Sequence, residues 1–473
     1  MRIAIIAEVY LPKIDGVVIR TLNLIRELQA AGDEVLVICP ETDGARHSPA
    51  DVVEFPSFCF PMYPEYRIGR PDSRLEAALR DFRPDVVHFL NPFAFGFQCY
   101  DRMAAAGMQV GTLYSFHTLY AEFVKRYGIL RPLSKLLWWQ TRHYHNKADA
   151  NLTVSQSQVD DLLSRNFERV HLWQPAIDST LFRPLQRNSA NLSRRQDSTY
   201  RLLTVSRLAP EKNVEFLRDV LEQLLPKIPD ASLTIVGDGP HRPALERHFA
   251  GLPVTFEGYL QGEELAAAYA TSDAFVYASE TETMGNVILE AMACGIPVIA
   301  PRAGGIPSLL RHQQSGLLFE PGDAAAAADF VLQSLSNECL RNALIRAARE
   351  FAEQHDWTTA AQRVRQDYLR AVNRFSEQPS PMSPSNLFAR ATTQSLVTAF
   401  RVVSWLTQKT RHTGTREATF VFDSEESEHP VHQTASPRRN RQISDSKSPE
   451  SDDEFSELNE LLDETIPTPV TMT

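Results

Sequence analysis

Short apolar runs alternate with helix-length segments along the first 183 residues of the chain. The runs predicted to be strands are residues 2–7, 34–39, 84–90, 110–116 and 151–155. A Pro/Gly loop follows the first run, and then a helical pattern begins near Gly16 and stops at Gly32. Because buried parallel strands joined by helices produce this alternation, the pattern predicts a Rossmann-like, doubly wound parallel sheet over residues 1–183.

A second alternation of the same kind begins after a polar stretch, residues 184–199, which we interpret as a linker. Its predicted strands are residues 200–206, 232–239, 254–259, 274–279 and 297–300. We therefore expect a second Rossmann-like domain over residues 200–356, with an interdomain cleft between the two domains. Apolar residues at helical spacing then predict a closing helix, residues 357–375, that packs along the body. The predicted fold class is α/β, with two doubly wound parallel-sheet domains.

The last part of the chain is rich in Ser, Pro, Glu and Asp. Residues 417–473 carry 14 acidic and 4 basic side chains, and we expect residues 376–473 to form a largely disordered acidic tail. One island, residues 386–416, has no Asp or Glu, five Lys or Arg, and apolar residues at helical spacing beside Trp405. It predicts a helix over residues 386–410. That helix is either amphipathic and lies on an anionic membrane, or is inert, or docks on the body.

Charge, cysteine content and hydropathy exclude several classes of protein. The tail accounts for most of the net charge of -11, so the body is near neutral and lacks the basic domain of a nucleic-acid-binding protein. Five cysteines without a CxxC pair favour a reducing, cytoplasmic compartment. No apolar stretch approaches the ~18 residues of a membrane span, so we expect a protein that is soluble or peripheral on the inner face of a membrane.

A basic and aromatic stretch, residues 123–148, favours contact with a lipid surface. It contains no Asp or Glu, and its six Lys or Arg are interleaved with Phe, Tyr and Trp. Such a face suits an anionic bilayer, and it therefore predicts a lipid acceptor. The alternative is a packed helix of the first domain with ordinary solvated basic residues.

Two glutamates eight residues apart, Glu282 and Glu290, form the densest candidate site. If the loop that carries Glu282 leads into a helix near Gly285, both side chains reach the crevice above the strand ends, where open α/β sheets bind ligands. Carboxylates there can accept paired hydrogen bonds from the hydroxyl groups of a sugar. The alternative is a capping Glu followed by a solvated helix Glu.

Two cations, Arg207 and Lys212, flank the end of a predicted strand and the start of a predicted helix. Cations beside a helix N-terminus can bind a diphosphate and stabilise it as a leaving group without a metal, although two surface side chains are the alternative. His117 follows a predicted strand and either faces the cleft or is structural. The histidines form no metal cluster, so no metal site is expected. Neither GxGxxG nor a P-loop occurs, which argues against a NAD-linked oxidoreductase.

Segment 279–300, SETETMGNVILEAMACGIPVIA, together with these residues resembles glycosyltransferase family 4, which comprises retaining nucleotide-sugar transferases with the two-domain GT-B fold. The resemblance covers residues 1–375 and is strongest towards sulfoquinovosyltransferases and GDP-mannose-dependent α-mannosyltransferases. It implies transfer of a hexosyl group from a UDP- or GDP-sugar to a hydroxyl acceptor, for example membrane diacylglycerol, with no cofactor and no metal. The alternative is a catalytically inactive, nucleotide-sugar-binding regulatory protein of the same fold.

The resemblance also implies a role for each residue of the site. Glu282 would contact hydroxyl groups of the donor sugar, and Glu290 would hold the ribose diol. Arg207 and Lys212 would bind the diphosphate, and His117 would lie beside the sugar. The catalytic residues it implies are Glu282, His117, Arg207 and Lys212. The other donor-binding residues it implies are Gly16, Tyr259, Leu260, Met284, Gly285 and Asn286, of which Tyr259 and Leu260 would face the nucleobase.

Overall fold

The computed structural model shows two parallel β-sheets, each with helices on both faces. The residues that it describes are 1–13, 15–43, 47–60, 63–118, 121, 133–184, 200–377 and 382–412. The predicted linker beyond residue 184 and residues 413–473 of the predicted tail lie outside the described residues. The α/β fold class with two parallel-sheet domains is confirmed.

The first sheet and its helices form what we call the N-domain. Its strands are β1 (Arg2–Ala7), β2 (Glu34–Pro40), β3 (Asp51–Phe55), β4 (Ser57–Phe60), β5 (Tyr63–Gly69), β6 (Val86–Leu90), β7 (Gly111–Phe116), β8 (Ala150–Thr153) and β9 (Val170–Leu172). Strands β4 and β5 form an antiparallel hairpin, and the other seven form a parallel sheet in the order β3-β2-β1-β6-β7-β8-β9. The helices are α1 (Gly16–Ala30), α2 (Arg74–Phe82), α3 (Ala94–Ala105), α4 (Leu133–His145) and α5 (Gln156–Ser164).

The central strand β1 is apolar on both faces because helices cover both faces of the sheet. Ile3 and Ile5 belong to one hydrophobic core cluster, and Ala4 and Ile6 belong to the cluster on the opposite face. Helix α1 begins at the carboxyl end of this strand. The Asp15 carboxylate accepts hydrogen bonds of 3.0 Å from the backbone amides two and three residues further on, which satisfies the first free N–H groups of the helix.

The second sheet and its helices form the C-domain. Its strands are β10 (Tyr200–Val205), β11 (Ala231–Val236), β12 (Val254–Gly258), β13 (Ala274–Val276), β14 (Val298–Pro301) and β15 (Leu317–Phe319), in the spatial order β12-β11-β10-β13-β14-β15. The helices are α6 (Phe216–Leu224), α7 (Arg242–His248), α8 (Gly262–Thr271), α9 (Asn286–Cys294), α10 (Ala324–Ser336) and α11 (Glu338–Glu353). Again one core cluster lies on each face of the sheet.

A helix from the C-terminal part of the chain, α12 (Trp357–Glu377), returns to the N-domain. The Tyr368 hydroxyl lies 2.8 Å from Nδ1 of His88, which is on the central strand β6. Arg365 pairs with the buried Asp33 at 2.7 Å. These contacts are more than 250 residues apart in sequence, so the helix ties the end of the folded body to its first domain.

The last helix of the described chain, α13 (Leu387–His412), packs on the N-domain against α3, α4 and β4. Ala389, Thr393 and Val397 lie four residues apart and are buried, so they form the face that meets the domain. The Gln140 side chain donates to the Thr393 hydroxyl at 2.6 Å. The sequence left open whether this helix lies on a membrane, is inert or docks on the body. In the structure its first half docks on the N-domain.

The sequence did not predict the hairpin β4–β5, nor the strands β3, β9 and β15 of the parallel sheets. β3 is exposed or partly exposed at four of its five residues, and β9 and β15 have three residues each, so none of these three has the long apolar run of the central strands. Among the helices within the described residues, none combines the length and the apolar character needed to cross a membrane.

Candidate active site

The loop between β13 and α9 carries Glu282 and is held by backbone contacts. The Gly305 amide donates to the Glu282 carbonyl oxygen at 2.8 Å. A Cβ atom on Gly304 or Gly305 would collide with the backbone of residues 282 and 283, so only glycine permits this approach. Gly285, with a φ of 82°, lies in the left-handed region and turns the chain into α9. The loop therefore fixes Glu282 at the carboxyl edge of the sheet.

The Glu282 carboxylate is largely buried and has two strong partners. It forms an ion pair with the Lys212 ammonium group, and it accepts a hydrogen bond of 2.6 Å from the Tyr277 hydroxyl. Burial alone would raise the pKa of Glu282, but the charge of Lys212 and the hydrogen bonds from Lys212 and Tyr277 hold that pKa below its usual value. Glu282 is therefore ionised at neutral pH and lies beside a cation.

Lys212 reaches this position from a 3₁₀ turn, Pro210–Lys212, rather than from the start of an α-helix. Asn213, with a φ of 50°, ends the helical conformation after the turn, and α6 begins only at Phe216. The α-helix predicted after this strand thus begins four residues beyond Lys212, because the left-handed residue separates the 3₁₀ turn from it. Arg207 lies in the same loop and is half-buried.

Glu290 lies on α9, five residues beyond Gly285, with its side chain mostly covered. Its Oε2 accepts a hydrogen bond of 2.8 Å from the hydroxyl of Tyr269, a fully buried residue of α8. Burial raises the pKa of Glu290 to about 7, although the hydrogen bond from Tyr269 acts in the opposite direction. No cation pairs with this carboxylate among the described residues. The surroundings therefore shift the pKa values of the two glutamates in opposite directions, downward for Glu282 and upward for Glu290.

The N-domain meets this loop at three places. The position of a Cβ atom on Gly16 would lie 3.3 Å from Nδ2 of Asn286, so α1 and α9 approach each other at their N-termini. The Thr283 hydroxyl donates to the His117 carbonyl oxygen at 3.3 Å. Met284 is buried and accepts a hydrogen bond at its sulfur from Arg20 of α1, at 3.0 Å. The loop of the C-domain is therefore in contact with the first domain along its length.

His117 follows β7 directly and is 7% exposed. Its Nε2 lies 3.1 Å from the Ser115 hydroxyl, and its ring is edge-on to Trp173 at a centroid distance of 5.1 Å. Burial, together with the charge of Arg20, holds the pKa of His117 well below its usual value. His117 therefore presents a neutral imidazole, which can exchange hydrogen bonds with a ligand but carries no charge.

The remaining predicted residues differ in their surroundings. Tyr259 is 65% exposed directly after β12, while Leu260 packs against the core cluster that contains Tyr269. Asn286 has a buried Oδ1 that no described residue hydrogen-bonds. A buried acceptor without a partner at the start of a helix is costly unless a ligand donates to it, which favours a polar ligand here.

Sequence reasoning missed three residues of this site: Tyr269, Tyr277 and Arg20. A buried carboxylate needs hydrogen-bond donors, so a search for hydroxyl groups near each glutamate would have found Tyr277, which lies five residues before Glu282. Tyr269 is on another helix and Arg20 is in the other domain, and no local pattern reveals either contact. Within the part of the chain that the structure describes, no cluster of His, Cys, Asp and Glu could hold a metal ion.

Both domains match known family models. Residues 14–181 match the model described as Glycosyltransferase Family 4, and residues 199–337 match the model described as Glycosyl transferases group 1. The fold of two Rossmann-like domains, with carboxylates and a cation at the carboxyl edge of the second sheet, is that of a GT-B glycosyltransferase. The chain belongs to glycosyltransferase family 4, and it is an enzyme of the glycosyltransferase class.

Relatives with assigned activities support the family. The chain is 34% identical over 370 residues to a sulfoquinovosyl transferase of Arabidopsis thaliana, which covers 75% of this chain and 70% of the relative. It is 39% identical over 329 residues to a GDP-mannose-dependent alpha-mannosyltransferase of Mycolicibacterium smegmatis, covering 68% and 84%. An alpha-monoglucosyldiacylglycerol synthase of Acholeplasma laidlawii is 25% identical over 345 residues, covering 68% and 86%.

Solved structures share the fold. A sucrose-phosphate synthase of Thermosynechococcus elongatus superposes with a TM-score of 0.64 at 22% identity, covering 79% of this chain and 100% of the other. Anabaena HepE in complex with UDP-glucose superposes with a TM-score of 0.60 at 19% identity, covering 77% and 98%. At this identity the likeness shows the architecture alone.

Proposed function

We propose that the enzyme transfers a hexosyl group from a UDP- or GDP-sugar to a hydroxyl group of a membrane lipid, for example diacylglycerol, with retention of the anomeric configuration. The observation that carries this proposal is the pair of carboxylates, Glu282 and Glu290, each held by a tyrosine hydroxyl at the carboxyl edge of one sheet. Paired acceptors of this kind suit the vicinal hydroxyl groups of a sugar and a ribose.

The nucleotide part of the donor would bind to the C-domain. Glu290 accepts from the ribose hydroxyls, and its uncharged surroundings suit a neutral ligand such as a diol. The backbone at Tyr259 and Leu260 faces the base. The buried Oδ1 of Asn286 is a further acceptor for a donor hydroxyl, next to the turn formed by Met284 and Gly285.

Lys212 and Arg207 would stabilise the diphosphate. As the bond between the anomeric carbon and the phosphate oxygen breaks, negative charge grows on that oxygen, and a fixed ammonium group there lowers the barrier. The acceptor hydroxyl attacks from the same face and gives its proton to the departing phosphate, so the products are a glycoside and a nucleoside diphosphate. The ammonium group of Lys212 can contact the diphosphate as well as Glu282, because the hydrogen bond from Tyr277 still holds the Glu282 carboxylate in place.

The N-domain would supply the other wall of the site. Gly16 has no side chain, so the donor and acceptor can approach the N-terminus of α1. His117 is neutral, so it can hydrogen-bond a sugar hydroxyl without adding positive charge beside the anomeric carbon. Catalytic contacts are thus assigned to Glu282, His117, Arg207 and Lys212.

A lipid acceptor is supported by the outer surface of the N-domain and by the relatives. One relative is named for a diacylglycerol glycoside. Helices α4 and α13 lie side by side, and a cavity lined by Trp139, Arg142, His143, Asn146 and Lys147 opens on that surface. Beside it, Leu387 is 83% and Phe388 50% exposed, an arrangement that suits an anionic membrane surface. The enzyme would then act peripherally on the inner face of a membrane.

A panel of UDP- and GDP-sugars tests the donor and the acceptor together. Release of nucleoside diphosphate is measured with vesicles that do or do not contain diacylglycerol, and the anomeric configuration of the product is read by NMR. We expect acceptor-dependent release with one donor and a product of retained configuration. Lys212→Met should abolish most of it, whereas Lys227→Met, at an exposed lysine of the same domain, should not. Inversion, or lipid-independent activity with every donor, would overturn the proposal.

A further inference from the structure

Arg20 is a buried cation that the proposed roles leave unexplained. It lies on α1, one turn beyond Gly16, and is 1% exposed. No carboxylate pairs with its guanidinium among the described residues, and its Nε has no hydrogen-bond partner there. Burial of an unpaired charge is costly, and such a group persists in a fold only where the surrounding structure compensates for it.

The N-domain supplies most of that compensation. Nη2 of Arg20 donates to the carbonyl oxygen of Trp173 at 2.9 Å and also to that of Gln174. The guanidinium carbon lies 4.4 Å from the ring centroid of Trp173 and 5.9 Å from that of Trp357, so both rings offer their electron-rich faces. Trp357 is the first residue of α12, which returns from the C-domain. The guanidinium is therefore fixed where the chain passes between the domains.

The remaining terminal nitrogen points to the C-domain. Nη1 donates to the sulfur of Met284 at 3.0 Å. Met284 is followed by Gly285, which starts α9, and α9 carries Glu290. Thr283, on one side of this turn, donates to the His117 carbonyl oxygen of the N-domain, and Asn286, on the other side, lies close to Gly16. The Arg20 contact thus lies between two further points at which the turn approaches the first domain.

We infer that Arg20 is a positioning residue, which acts through Met284 to hold the loop of residues 282–286, and with it the C-domain, against the N-domain. This inference rests on the proposed assignment of that loop to the donor site. A planar guanidinium can contact two carbonyl groups, a ring face and a sulfur at once, whereas an ammonium group cannot. Since the nucleotide itself would bind to the C-domain, loss of Arg20 should impair closure and turnover more than nucleotide binding.

The test compares Arg20→Met, Arg20→Lys and Met284→Leu with a matched control, Arg26→Met, at an exposed arginine of the same helix. We expect kcat to fall about tenfold or more in Arg20→Met, since a hydrogen bond to a charged group is lost. The dissociation constant for UDP or GDP should change less than twofold. Met284→Leu keeps the volume but loses the sulfur acceptor, and it should lower kcat in the same direction.

Two further measurements separate positioning from a general structural role. The kcat losses of Arg20→Met and Met284→Leu should be non-additive in the double variant, because each substitution removes the same contact between Arg20 and Met284. Small-angle X-ray scattering should show a larger radius of gyration for Arg20→Met than for Arg26→Met. Additive losses, an unchanged kcat in Met284→Leu, or equal radii would overturn the inference. If the unmodified enzyme binds no nucleotide, the proposed function fails, while the scattering comparison still tests closure.

Discussion

Replacing Glu290 by Gln removes a carboxyl group that the fold keeps in an unfavourable environment. Burial raises its pKa from 4.5 to about 7. Each tenfold change in proton affinity corresponds to about 1.4 kcal/mol, so ionising this group in the folded protein costs at most ~3 kcal/mol. Solvent screening of the partly exposed side chain makes the cost smaller. Gln can still accept the hydrogen bond from Tyr269, and it does not ionise.

The sign of the effect follows from the two pKa values of Glu290. Below pH 4.5 the carboxyl group is protonated in both the folded and the unfolded chain, and it affects stability little. Between pH 4.5 and about 7 the unfolded chain loses the proton while the folded chain keeps it, so the free energy of unfolding decreases as the pH rises. Above pH 7 both forms are ionised and the loss is complete. Glu290→Gln should lack this decrease.

Thermal unfolding from pH 5 to pH 8 measures the difference. For a domain of this size a change of 1 kcal/mol shifts Tm by roughly 2–4 °C, so the Tm of Glu290→Gln relative to the unmodified protein should rise by up to ~10 °C between these pH values. If the amide group of the side chain introduced by Glu290→Gln lacks a hydrogen-bond partner, it would lower the Tm of the variant by the same amount at pH 5 and at pH 8. Glu264→Gln, at an exposed glutamate of α8, is the control and should run parallel to the unmodified protein.

The same variant should bind the donor about tenfold or more weakly at pH 8, because an ionised carboxylate is a stronger acceptor for hydroxyl groups than an amide. In the unmodified enzyme donor affinity should therefore increase as the pH rises through about 7, where Glu290 ionises. Glu290→Gln should thus make the fold more stable and donor binding weaker, which is expected of a residue that binds ligand but destabilises the folded protein. Parallel stability curves, or unchanged donor affinity at pH 8, would refute the reasoning.

Three further outcomes follow from the other charged groups. Lys212→Met should lower kcat on the order of 10²-fold, as expected when a preorganised cation at a leaving group is lost, and Lys227→Met should leave kcat unchanged in the same assay. Tyr277→Phe removes one of the hydrogen bonds that lower the pKa of Glu282, so this pKa should rise. On acidification the variant should therefore lose activity at a higher pH than the unmodified enzyme. An acid limb of the pH profile at the same pH in both proteins would contradict this. Activity should persist in EDTA, and strict dependence on Mn²⁺ or Mg²⁺ would rule out the proposed role of the cations.

The sequence predicted the central strands because those strands are apolar on both faces. β1 and β6 are buried almost throughout, and an uninterrupted apolar run is visible without any knowledge of neighbours. Edge strand β3, with the sequence DVVEF, is exposed at several positions, so its pattern does not differ from that of a loop. Short strands at the edges depend on pairing with a strand already in place, and that pairing is not local information.

The candidate site divides in the same way. The spacing of Glu282 and Glu290 is local, since only a short loop and the start of α9 separate them, and the sequence was enough to single them out. The hydroxyl of Tyr269 reaches Glu290 from a different helix, and Arg20 reaches Met284 across 264 residues. These contacts exist only after helices and domains have packed. The two carboxylates proposed to bind the donor could therefore be singled out from the sequence, while the groups that set their pKa and position could not.

Helix α13 shows how docking changes the interpretation of an apolar stripe. Deletion of all residues after 380 would remove the partner of Gln140 and uncover the N-domain surface that Ala389 and Val397 cover. Such a truncation should lower Tm, and any loss of membrane binding would then have two causes. A point change at Leu387, which is 83% exposed, leaves the docked face intact and separates the two, whereas Phe388 packs edge-on against Trp139 of the N-domain at a centroid distance of 5.0 Å.

Leu387→Glu should therefore reduce binding to anionic vesicles about tenfold or more, because an apolar side chain that enters the bilayer is worth ~1.5–3 kcal/mol. Tm and turnover of a soluble acceptor analogue should stay unchanged, since Leu387 is 83% exposed in the fold. Ala399→Glu places a charge on an exposed position of the same helix and should bind like the unmodified protein. If Leu387→Glu binds vesicles as well as Ala399→Glu does, this end of the helix does not contact the membrane, and the lipid must reach the cleft from another surface of the N-domain.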